Sequence, residues 1–185
     1  MTTQWTLPTH TVIGGKKYGI NGDFRDILEI FSYFSDPDLP EYVMWEIALA
    51  LFYNDPIPEK DRQAAMEYLA WFLAGGKTEC DRPGLKLIDW RQDAPLIAAD
   101  MNKTAGREIR AMPFLHWWTF LSWFHAIGEG QLSTVVAIRS KLAKGKKLES
   151  WEREFYGENR NLVDFQKRYS QQELEQRQQI EKMLQ

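Results

Sequence analysis

Few residues in this chain combine the side chains and the spacing that chemistry needs. The histidines are His10, His116 and His125, the one cysteine is Cys80, and the best-spaced carboxylates are Asp89, Asp93 and Asp100. A zinc or iron site needs donors that converge, as residues three or four apart on a helix do. His116 and His125 are too far apart and point to different sides of a shared helix. Asp89 and Asp93 could form an acid-base pair, but the same residues suit a helix start, where carboxylates cap free N–H groups and complement the dipole. Gly75-Gly76-Lys77 lacks the spacing and the following Ser or Thr of a phosphate loop. Ser133 and Ser140 stand at no catalytic spacing from Lys141, Lys144, Lys146 or Lys147, and that lysine run reads as a solvated helix end. Asn102-Lys103-Thr104 fits a glycosylation acceptor, which has no meaning for a cytoplasmic chain. The sequence therefore predicts no catalytic site, no metal and no cofactor.

The elements that would hold these residues are mostly helical. The 185 residues, 44% hydrophobic and 14% aromatic, suffice for one well-filled core. A net charge of −3 argues against a phosphate-backbone binder. The apolar runs are too short and too interrupted to cross a bilayer. A lone cysteine and the absence of a signal-peptide pattern predict a reducing, cytoplasmic setting.

Along the chain, "HTVIGGKKYGIN" (10–21) has the pattern of a small hairpin turning at its glycines. From Asp23 the apolar residues Phe24, Ile27, Leu28, Phe31 and Phe34 recur at helical intervals. Helices are further predicted over 42–53, 63–76, 88–103, 113–128 and 132–145, and from about residue 148. Proline-rich breaks at 35–42 and 54–62 separate the early ones. Pro95 belongs in a first turn, and Gly75-Gly76 stop the third helix.

The stretch "PFLHWWTFLSWFHAIGEG" (113–130) is apolar around nearly its whole circumference and predicts a central, buried helix. The last residues are rich in Gln and Glu with a thin apolar stripe. The expectation is a single-domain, mainly α helical bundle over 1–160 with a small N-terminal β-hairpin, followed by a polar C-terminal helical extension over 161–185.

The order of particular residues goes further. "INxDFR" (Ile20, Asn21, Asp23, Phe24, Arg25), "DxxxDA" (Asp89, Asp93, Ala94) and "LHWWxF" (Leu115, His116, Trp117, Trp118, Phe120) stand in one sequence with "WFLAGGK" and "IRSKLAKGKKLESWEREFY". Over residues 10–160 this closely resembles the bacteriophage gp-fifteen family of tail-region proteins. The chain departs from the family in having Gly75-Gly76 where a Cys-Gly pair is usual, and in a longer polar tail.

The resemblance implies a non-enzymatic tail assembly chaperone in the host bacterial cytoplasm. It would bind the tape measure protein, possess a link to the tail tube protein, and associate with itself. The alternative it leaves is a structural tail or head-tail connector component retained in the virion. Asp23, Phe24, Arg25, Asp89, Asp93, His116, Trp117 and Trp118 form the family-motif core. Phe165, Tyr169, Leu174, Ile180 and Leu184, on the polar tail, are the candidate partner contacts.

Overall fold

The computed structural model describes residues 5–77, 84–173, 175, 176 and 180. The fold is mainly α, with one two-stranded antiparallel hairpin at the N-terminus. Strands β1 (His10–Ile13) and β2 (Lys16–Gly19) pair with Val12 opposite Lys17. Gly14 and Gly15 alone make the turn, at φ 57° and 82°, the conformation that a tight hairpin needs and that glycine adopts without strain. The two lysines of "GGKK" therefore belong to β2.

Helix α1 (Phe24–Tyr33) starts where Asp23 accepts a hydrogen bond from the Arg25 N–H, and it buries Phe24, Ile27 and Ile30. Each such side chain contributes about 1.5–3 kcal/mol of transfer free energy before entropy is subtracted. Helix α2 (Glu41–Phe52) packs on α1, and α3 (Arg62–Leu73) on α2. At the end of α3, Gly76 N–H bonds the Trp71 carbonyl and Gly75 N–H bonds that of Phe72. This is a Schellman ending, with Gly75 at φ 71°.

A second group follows: α4 (Ala94–Ala105), α5 (Trp117–His125), α6 (Gln131–Ala143), α7 (Ser150–Glu158) and the single turn α8 (Arg160–Val163). Helix α5 contacts both α1 and α4, while α4 packs on α6 and α6 on α8. One core runs from the hairpin to Leu132, and a smaller cluster of Val135, Ile138 and Val163 closes the α6–α8 side.

Three boundaries differ from expectation, each because a side chain or neighbouring segment takes the backbone's hydrogen bonds. Helix α4 begins at Ala94 because Asp89 draws the Arg91 and Gln92 N–H groups into a turn. Helix α5 begins only at Trp117. The Leu115 N–H donates to Asp23, and its carbonyl accepts from Phe24 N–H, so residues before His116 are stitched to the start of α1. Nor is α5 buried all round: it buries Trp117 and Phe120, whereas Ser122 and His125 are exposed and Phe114, just before it, is 54% exposed. Finally, residues 164–170 are not helical, and helical backbone resumes at 171. The Leu162 and Val163 carbonyls accept from Arg139 and that of Asp164 from Gln92, so they are turned away from a continuing helix.

Candidate functional site

The family-motif residues gather at two junctions. At the first, His116 is the N-cap of α5. Its Nδ1 accepts the Trp118 N–H at 3.1 Å, and its Nε2 lies 3.0 Å from the Pro8 carbonyl. An N–H can only donate and a carbonyl only accept, so the ring must be neutral with its proton on Nε2. Burial lowers the His116 pKa, against an upward pull from the Pro8 carbonyl. The imidazole is thus a structural clamp between α5 and the segment leading to the hairpin.

Asp23 and Arg25 finish this junction. The Asp23 carboxylate accepts from the Arg25 and Leu115 N–H groups and from the Arg25 guanidinium at 2.7 and 2.9 Å. Burial alone would raise its pKa, but the Arg25 side chain and the two amides prevail and hold it below the ordinary value. Arg25 also donates to the Pro113 carbonyl at 3.0 Å. Phe24 stacks on Phe120 at 4.9 Å between centroids. The neighbouring indoles of Trp117 and Trp118 donate to the Leu73 and Phe72 carbonyls at 3.0 and 2.9 Å. Both are carbonyls of α3's last turn; that of Phe72 also accepts the Gly75 N–H, so the Trp118 indole is a further donor to it.

The second junction centres on Arg139, 4% exposed. Its guanidinium holds Asp93 through two bonds of 2.6 and 2.9 Å and donates to the carbonyls of Leu87, Leu162 and Val163. All five guanidinium N–H groups are thereby used, and the plane lies 4.1 Å from the centre of the Phe165 ring. Asp93 also accepts the Asp89 N–H. Asp89 in turn meets Lys86 and Arg168, each at 3.0 Å. Burial would raise the Asp89 pKa, but the Gln92 N–H, Lys86 and Arg168 outweigh it and bring it to about 2.

Asp89 accepts two N–H groups as a cap does, but they belong to the turn ahead of α4 and not to the helix start expected for it. Asp93, in contrast, makes no side-chain cap bond and is the carboxylate of a buried ion pair. Asp100 does cap a helix, though not its own: from α4 it accepts the Leu132 N–H at the start of α6. Its carboxylate comes so close that a Cβ at Gly130 would lie 2.5 Å from it. Arg139 is the functional residue of this junction that the sequence analysis does not single out. Its signal was one arginine on the apolar face that Val135 and Ile138 define on α6, a position that requires a buried acid.

Of the candidate partner contacts, Phe165 and Tyr169 are half-buried, and Ile180 is 57% exposed. Leu174 and Leu184 lie outside the described residues, as does Cys80. The extended passage from 164 lies against the body: the Gln166 N–H donates to Gln92, Arg168 pairs with Asp89, and the Gln171 N–H donates to Asp38. Among the described residues, no group of three His, Cys, Asp or Glu could hold a metal ion. Among the same residues, no buried side-chain nitrogen or oxygen lacks a hydrogen-bond partner, and no helix is long and apolar enough to cross a membrane.

The fold is thus a mainly α body whose motif residues brace its two junctions. Residues 6–165 match the family described as Bacteriophage Gp15 protein, and the chain belongs to that family. Searches of the curated proteins and of the solved structures found no match.

Proposed function

We propose that this bacteriophage protein is a tail assembly chaperone that holds the tape measure protein until tail tube subunits polymerise around it. It would act in the host cytoplasm, without turnover chemistry and through self-associating copies. The observation that carries the reading is the use made of the motif residues. Asp23, Arg25, Asp93, His116, Trp117 and Trp118 all bond other parts of the same chain. A family whose distinctive residues brace a body, rather than converge on a substrate, fits a protein that acts through its surface. A holdase needs a rigid body and works by preferring a non-native state of its client. Large apolar side chains on the surface, among them Trp5, Tyr42 and Trp151, supply contact area.

The same bracing also suits a subunit built into the tail or the head-tail connector. Co-expression with the tape measure protein of the same phage tests the first reading: soluble, co-eluting tape measure protein is expected, and insoluble, unbound partner would overturn it. Mass spectrometry of purified virions separates the second, because a connector subunit is present at stoichiometric amounts.

A further inference from the structure

Between α1 and the loop preceding α4 lies an open groove of about 540 Å³. Its floor is apolar and half-buried, made of Leu28, Phe31, Ile88 and Trp90. The extended passage borders it with Arg168, which reaches across to Asp89 and to the Ser35 carbonyl. Continuing past Arg168 is a second hollow, lined by Arg91, Gln92, Gln166 and Lys167.

The charge around this groove is opposite in sign to that of the whole chain. The protein carries −3, yet the two hollows are lined by four cations, Lys86, Arg91, Lys167 and Arg168, against the carboxylates Glu29 and Asp89. Asp89 is already met by both Lys86 and Arg168. Arg91 and Lys167 are exposed. An apolar trough with a cationic rim matches a helix that carries an apolar stripe flanked by carboxylates, because the stripe fills the trough while the flanks pair with the rim.

We propose that this groove is the docking site for an amphipathic helical segment with acidic flanks. The proposal rests on the chaperone reading for the identity of the client, which would present such a segment. The groove itself is tested with defined probes. Two labelled helical peptides of about 20 residues, long enough to span the groove, carry the same leucine stripe. One has Glu flanks and the other Lys flanks.

By fluorescence anisotropy with the full chain, the Glu-flanked peptide should bind at least about tenfold more tightly. Replacing its leucines by alanine should abolish binding. In the exposed double variant Arg91→Glu/Lys167→Glu, with an unchanged melting temperature as the check on folding, the preference between the two peptides should reverse. Equal binding of the two peptides, or a preference untouched by the double variant, overturns the groove. Co-expression separates this failure from that of the chaperone reading. Tape measure protein captured equally by wild type and double variant removes the groove but keeps the chaperone. Peptide preference without tape measure capture keeps the groove and removes the chaperone.

Discussion

The two junctions hold distant parts of the chain together by different physics. Around His116 the donors and acceptors are mainly neutral and work in separate pairs: one imidazole, two indoles and the backbone groups of α3, α5 and Pro8. Around Arg139 a single cation serves Asp93 and three carbonyls at once. Loss of one neutral pair leaves the others in place. Loss of the arginine leaves a buried carboxylate and three carbonyls, one buried and two partly so, without their donor together, so this junction fails as a unit.

The largest expected effect is therefore at Arg139. Arg139→Met should cost about 3–5 kcal/mol in denaturant unfolding, because it strands Asp93. Adding Asp93→Leu should recover only part of that loss, since the carbonyls stay unpaired; full additivity of the two changes would show that the junction is not a unit. Next comes Trp117→Ala at about 3–5 kcal/mol, almost all of it lost packing, with Trp117→Phe nearer 1–2 kcal/mol. If Trp117→Phe cost as much as Trp117→Ala, the indole bond to Leu73 would outweigh the packing, and the contrast between the junctions would narrow.

His116 should give a smaller and pH-dependent effect. His116→Ala is expected to cost about 1–2 kcal/mol, and His116→Asn less, because an amide oxygen can still accept the Trp118 N–H. The unfolded ring takes up a proton near its ordinary pKa of 6.5, whereas the folded ring, its pKa lowered, stays neutral. Stability from this group is thus present above about pH 6.5 and is lost as pH falls below that value. A midpoint titration of wild type against His116→Asn should differ in that window. Asp89, depressed to about 2, stabilises the fold above its ordinary carboxylate pKa, and that contribution is lost between about pH 4 and 2. The smallest effect belongs to Arg25→Ala, below about 1 kcal/mol, since the arginine side chain is 43% exposed.

Much of this architecture is legible in the residues, and the exceptions arise where side chains take up backbone hydrogen bonds or pair across the chain. Apolar spacing places α1, α2 and α6 within two residues and α3 within three, because each is a continuous stripe with ordinary breaks on either side. Spacing puts the start of α4 too early because Asp89 takes the next N–H groups into a turn, and that of α5 too early because it depends on a partner remote in sequence. Leu115 bonds a carboxylate 92 residues away, a pairing that no local window contains. The cap on α5 was invisible for a different reason. Histidine is not among the residues that ordinarily signal a helix start, and only the Pro8 carbonyl on its other nitrogen fixes the tautomer that lets it serve. Asp93 looks like a cap in the sequence because its true partner, Arg139, lies 46 residues further on.

The clamp at His116 also bears on how the chain comes off the ribosome. Pro8 emerges early and waits for a histidine 108 positions later. The groups that satisfy Arg139 are completed only when Val163, 24 positions beyond it, has been made. Neither junction can close before those later residues have been made. Contacts of such sequence separation slow the search for the native state. A pulse-proteolysis series on stalled nascent chains should show protection of the hairpin rising only once residues past Trp118 have left the exit tunnel.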